Sequence, residues 1–171
     1  IQIDEHRFLD INWYFADYYN RLCVVASGGG TLPKFLTDQQ SRNSEFHNIV
    51  MDMEEIFAVK RNENITNILV EFESNQNIDQ YFRDFDSLAK KGFYVYDKVN
   101  IHDSEDPNYV LVAYPVYDTQ VDPYPIDTED LGLIPWLKHR LISRTNKKFS
   151  RQNFDARDLI NLTNSRYKWR K

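Results

Sequence analysis

Residues 11–33 read INWYFADYYNRLCVVASGGGTLP. Ile11, Trp13 and Phe15 alternate with Asn12, Tyr14 and Ala16, the period-two pattern of a strand. After Asp17-Tyr18-Tyr19-Asn20 comes a second β-rich run, Leu22-Cys23-Val24-Val25-Ala26. Two such runs around a short Asp- and Asn-bearing segment predict a hairpin. Ser27-Gly28-Gly29-Gly30-Thr31 then breaks the strand, and Pro33 forbids its continuation.

A second hairpin is predicted further along. Phe93, Val95, Val99 and Ile101 fall on one face of its first strand, and residues 102–108 form its turn. Asp97 interrupts that apolar face. A buried carboxylate must be paired or protonated, so the simpler expectation is a bulge or strand end that turns it outward. Residues 109–116 are apolar on both faces, as in a central strand, with Pro115 limiting its length.

Helices fill the space between the hairpins. Phe46, Ile49, Val50 and Met53 recur at helical spacing, after a capping box at Thr37 and Gln40. Ile65, Ile68, Leu69 and Phe72 form a weaker pattern, and their β-branching leaves a strand open. Residues 78–91 are the clearest helix. Ile78, Tyr81, Phe82, Phe85, Leu88 and Ala89 make one stripe, Asn77 caps it, and Gly92 ends it. Residues 118–130 read as an acidic, Pro-bearing surface loop. Pro135 opens a short helix with Leu137 and Leu141, residues 140–145 read equally as a strand, and residues 155–162 as a last short helix. The basic residues 165–171 read as a frayed end. Hairpins with helices grouped between them predict an α+β fold: a mostly antiparallel sheet with helices packed on one face. A doubly wound α/β fold would need strands and helices in alternation.

The 171 residues carry a net charge of −5, and that average conceals a polarised chain. Residues 1–137 hold 10 basic and 24 acidic side chains, net −14, whereas residues 138–171 hold 11 and 2, net +9. The expected organisation is an acidic α+β domain over 1–137 and a basic segment over 138–171 packed on it. With 42% hydrophobic and 15% aromatic residues, a packed core is expected and disorder is not. No apolar run approaches the roughly 18 residues that span a bilayer. Asp4, Glu5, His6 and Arg7 fall where a signal peptide would be apolar. Cys23 is the single cysteine, which excludes an intrachain disulfide. A cytoplasmic protein is expected.

No motif carries chemistry strongly. His6, His47, His102 and His139 lack metal-site spacing, so no metal and no cofactor is expected. Cys23 sits within a predicted strand, where a buried thiol is inert. Gly28, Gly29 and Gly30 offer successive amides to an anion, but no Lys-Ser/Thr pair completes a phosphate loop. A flexible connection is the plainer reading. The basic segment, including Lys147, Lys148 and Arg151, offers phosphate contacts, with Tyr167 and Trp169 interleaved near its end. The acidic body opposes nucleic acid.

Residues 10–33, DINWYFADYYNRLCVVASGGGTLP, resemble the N-terminal hairpin of small uncharacterised bacterial proteins, some of the type that gives immunity to polymorphic toxins. The shared shape is an Ile-Asp-Trp-like start, an Asp-bearing turn, and an apolar strand that ends in small residues and glycines. The resemblance covers about the first fifth of the chain, and it defines no catalytic residue.

From Asp97 to Asp130 there are nine carboxylates and one lysine. Asp103, Glu105, Asp106, Asp118, Asp122, Tyr124, Asp127, Glu129 and Asp130 are therefore the candidate contacts for a basic protein partner. The expected function is a non-enzymatic binding protein of the immunity or inhibitor type that occludes a basic toxin domain. The alternatives are a nucleic-acid accessory acting through the basic segment, and an enzyme using Asp97, a histidine or Cys23.

Overall fold

The structure, a computed structural model, describes residues 10–17, 19–30, 32–33, 36, 40–68, 78–117, 126–137, 148–150 and 159–160. The first hairpin forms as expected from β1 (Asn12–Ala16) and β2 (Leu22–Ala26), with Trp13 opposite Val25 and Phe15 opposite Cys23. Its turn is organised by Asp17, which is 1% exposed. Asp17 Oδ1 accepts the N–H groups of Tyr19 (3.0 Å) and Arg21 (2.8 Å), and Oδ2 accepts Arg21 Nε–H at 2.5 Å. Asn20 takes the left-handed conformation, φ 61°, that the turn requires.

The chain continues through α1 (Gln40–Asp52), β3 (Ala58–Arg61), α2 (Ile65–Ile68), α3 (Ile78–Lys90), β4 (Tyr94–Lys98), β5 (Asn108–Val116), α4 (Thr128–Leu131), β6 (Trp136–Leu137), β7 (Lys148–Ser150) and β8 (Leu159–Ile160). One sheet holds the strands in the order β3-β5-β4-β2-β1-β6-β8, with β7 also paired to β5. All pairs are antiparallel except β2 with β4 and β1 with β6. The fold is α+β, as expected.

The helices share one face of this sheet. Phe46 and Val50 of α1, Ile65 of α2, Phe82, Leu88 and Ala89 of α3, and Leu131 of α4 pack on Tyr14, Val24, Val95 and Val110. On the opposite face Trp13, Phe15, Val25, Tyr96 and Tyr109 form a second cluster with Leu32 and Leu36. Period-two alternation thus serves two cores, because both faces are covered.

The apolar stripe of α3 fits its burial, although Ile78 is 45% exposed at the first position. The helix ends at Gly92, φ 104°, with Gly92 N–H bonded to Ala89 O (3.0 Å) and Phe93 N–H to Leu88 O (3.3 Å). This is a Schellman ending, and Leu88 and Phe93 both enter the core beside it. The caps expected at Thr37 and Asn77 lie outside the described residues.

Several expectations are corrected. Asp97 does not turn outward: it is 7% exposed and lies on the helix-covered face. A bulge does occur nearby, but on β5. The register steps from Val95↔Ala113 to Tyr96↔Leu111, so Val112 is the extra residue. Asn62 satisfies it, with N–H to Val112 O and Nδ2 to Leu111 O, both at 2.8 Å. Ile101 lies past the end of β4 and is 44% exposed, off the core face. β5 itself matches its expected span, ending at Val116 one residue past Pro115, which pairs opposite Val59.

The expected 118–130 loop contains α4, because Ile126 and Leu131 are drawn into the core; residues 118–125 lie outside the described set. Pro135 opens a strand, not a helix. Its carbonyl accepts Ala16 N–H at 2.9 Å, which aligns β6 along β1 and buries Trp136. Within 155–162 the described residues, Leu159–Ile160, are strand β8 on β6, not helix. Residues 140–145 and 165–171 lie outside the described set.

A Cβ at position 92 would meet Phe57 Cε2 at 3.0 Å in a conformation that side chains disfavour. Gly92→Ala should therefore lower unfolding free energy by about 1–3 kcal/mol, read as a shifted urea midpoint at unchanged slope.

Candidate functional site

Two clefts meet at the start of β1. The first, of about 440 Å³, lies between β1 and α1 and is lined by Asp10, Ile11, Asn12, Gln40, Asn43, Ser44, His47 and Asn48. The second, of about 430 Å³, lies at the C-terminal ends of β2 and β4 against α3; Tyr81, Asp84, Phe85, Leu88, Asp97 and Ile101 line it. Asp10 and Asn12 belong to both. The parallel pairing of β2 and β4 brings Ala26 beside Asp97 and aligns these strand ends. Strand ends of this kind are where α/β sheets commonly hold ligands.

In the first cleft Asn43 is 9% exposed on the buried face of α1, at helical spacing from Phe46 and Val50. Its Oδ1 accepts Tyr14 N–H at 3.2 Å, and its Nδ2–H donates to Asn12 O at 2.9 Å. One carboxamide thus completes the β1 ladder where no strand does. Tyr14 Oη lies 2.6 Å from His47 Nδ1. Burial raises the Tyr14 pKa and keeps its phenol protonated, and Nε2 is the His47 ring nitrogen that this contact leaves unengaged. Partial burial, with the Lys91 charge nearby, holds the His47 pKa below its ordinary value.

The second cleft is acidic. Tyr81 Oη–H donates to Asp97 Oδ2 at 2.6 Å, and Lys98 N–H donates to Asp97 Oδ1 at 2.8 Å. Asp84 is exposed on α3 and Asp10 at the entry to β1. Among the described residues that line this cleft there is no Lys or Arg. Ile101 forms part of its wall, and the 102–108 turn departs from there.

That turn holds three of the sequence candidates. Asp103 accepts Glu105 N–H at 2.9 Å. Asp106 accepts the N–H groups of Asn100 (2.9 Å) and Asn108 (3.2 Å). Asp103 and Glu105 are exposed, so the first carboxylate both shapes the turn and faces solvent. Asp127 and Glu129 are exposed and Asp130 half-buried around α4, which leads into β6 beside Ala16, at the other end of the sheet. Asp103, Glu105 and Asp106 thus lie in the turn that follows Ile101, outside the lining of the second cleft, and Asp127, Glu129 and Asp130 lie on a different element. Asp118, Asp122 and Tyr124 lie outside the described residues.

The triple glycine has a structural duty. Gly28 N–H donates to Asp10 Oδ1 at 3.1 Å, and Gly30 N–H donates to Ser27 O at 3.0 Å. Gly28 and Gly29 have φ of 57° and 71°. A Cβ on Gly30 would stand 2.5 Å from Nζ of Lys98, itself 1% exposed. The glycines let the loop pass over that buried lysine. Lys148 lies in β7, while Lys147 and Arg151 are outside the described residues. Cys23 is fully buried, and burial together with the Asp17 charge pushes its thiol well up, away from nucleophilic chemistry.

No protein family, curated protein or solved structure matches the chain. Function is therefore read from the clefts. Sequence reasoning missed Asn43, Asn12 and Asp10 as site residues. The available signal was a polar residue, Asn43, at core spacing on an apolar helix face, which demands a partner. No helix among the described residues is long and apolar enough to cross a membrane.

Two outcomes follow from this geometry. Asn43→Leu strands Tyr14 N–H and Asn12 C=O, and should cost about 2–4 kcal/mol in denaturant titration. His47 has a folded pKa below the ordinary 6.5, so as pH falls through 6.5 the unfolded chain takes up a proton before the folded one. Stability due to His47 is thus lost over that interval and levels off below the folded value. An NMR titration of the ring should show the depressed midpoint, and His47→Gln should flatten that part of the stability profile.

Proposed function

We propose that this protein is a non-enzymatic binding protein of the immunity or inhibitor type, which covers a basic domain of a protein partner. The observation that carries the reading is the second cleft: Asp10, Asp84 and Asp97 line it with Tyr81 and Phe85, and no described lining residue is cationic. Asp97 is held in place by Tyr81, so one carboxylate is fixed before any partner arrives. Tyr81 and Phe85 are half-buried, and their rings supply contact area at little entropic cost. Asp103 and Glu105 extend the same negative field from the adjoining turn. Fields of this kind speed encounter with a cationic surface and reject acidic partners.

The test is capture from the native host's extract followed by reconstitution with the purified partner. A basic protein should be retained, its own activity should be suppressed on binding, and affinity should fall with added salt. Asp84→Lys combined with Asp103→Lys and Glu105→Lys should weaken binding by about tenfold or more. Equal binding by that variant, or a partner whose activity is untouched, would sink the proposal.

A further inference from the structure

We infer that the outer edge of β1, where it opens onto the first cleft, takes up an extended segment of the protein partner as an added strand. This rests on the reading of the chain as a binding protein and specifies what the partner presents. Hydrogen-bond alternation supplies the argument. Ser27 N–H bonds Ile11 O and Asp17 N–H bonds Arg21 O, so the odd-numbered residues of this strand address β2. Asn12, Tyr14 and Ala16 consequently address the other side. Along that side Ala16 N–H meets Pro135 O of the chain entering β6. Tyr14 N–H and Asn12 C=O meet the Asn43 carboxamide, which stands in for a peptide group. The next group on the line is Asn12 N–H, and Asn12 lines the 440 Å³ cleft. The ladder begun by β6 and continued by Asn43 therefore runs on into open space.

The facing wall fits a polypeptide. Ser44 and Asn48 are exposed on α1 and offer a hydroxyl and an amide. His47, with Nδ1 engaged by Tyr14, leaves Nε2 for a further hydrogen bond. These are uncharged groups suited to main-chain and polar side-chain atoms. Among the described lining residues the charged one is Asp10, which favours a basic segment over phosphate. A strand added here obtains affinity from main-chain bonds and specificity from alternate side chains in the cleft.

A phage-displayed random dodecapeptide library is the probe. Selected peptides should perturb the NMR signals of Asn12, Ser44, His47 and Asn48, and slow exchange of the Asn12 amide. N-methylation at alternate positions should abolish binding in one phase and spare it in the other, the signature of one strand edge engaged. Asn12→Pro removes the donor; because it also alters β1 itself, Ser44→Arg and Asn48→Arg obstruct the cleft from α1 and should each weaken binding by about tenfold. Peptides that map elsewhere, equal tolerance of both methylation phases, or self-association of the free protein through β1 would each overturn the inference. If the host partner still binds in a charge-dependent way while the edge takes no peptide, only the edge inference fails. Loss of the basic partner itself would count against the binding reading alone.

Discussion

β2 and β4 lie side by side and parallel at the centre of the sheet, and most of the architecture follows from that pairing. Parallel neighbours cannot be joined by a tight turn; they need a long crossover. Here the crossover carries α1, β3, α2 and α3, and the three helices pack on a single face. The hairpin partners β1 and β5 then flank the parallel pair on either side. The same constraint brings the C-terminal ends of β2 and β4 together with the start of β1, and it is between these ends and the returning helices that both clefts open.

Buried polar side chains close the places where this topology interrupts hydrogen bonding. Asn43 completes the edge of β1, Asn62 satisfies the carbonyls at the β5 bulge, and Asp17 gathers two turn amides and Arg21. Each lies where an apolar residue would leave main-chain groups unmade, at a cost of about 1–3 kcal/mol per group. Asp97 differs in kind. Its neighbour's amide and the Tyr81 hydroxyl hold it, and it stands at the wall of a cleft.

The charge asymmetry gains a location in the fold. Asp84 on α3, Asp97 at the end of β4 and Asp103 in the next turn come from three separate elements, yet they gather at one end of the sheet. Asp127 and Glu129 carry the same sign on α4, which leads to the opposite end. The basic segment meets the sheet through β7 on β5 and β8 on β6. Chain net charge therefore describes neither end of the sheet.

The sequence by itself determined the local elements. Alternation at residues 11–16 and 22–26 specified a hairpin, the stripe from Tyr81 to Ala89 specified α3, and Gly92 its ending, because these depend on near neighbours in the chain. It also marked Asp97 as anomalous on an apolar face. Tertiary structure alone decided how that anomaly resolves, since Tyr81 lies on another element and reaches Asp97 only after α3 packs on β4. It likewise converted the Pro135 segment into a strand, because the partner for that backbone, Ala16, is remote in sequence. The candidate site was legible only as scattered acidic residues. Its shape is set by a parallel pairing between strands far apart in the chain, and long-range pairing of that kind leaves no periodic signal in the residues that make it.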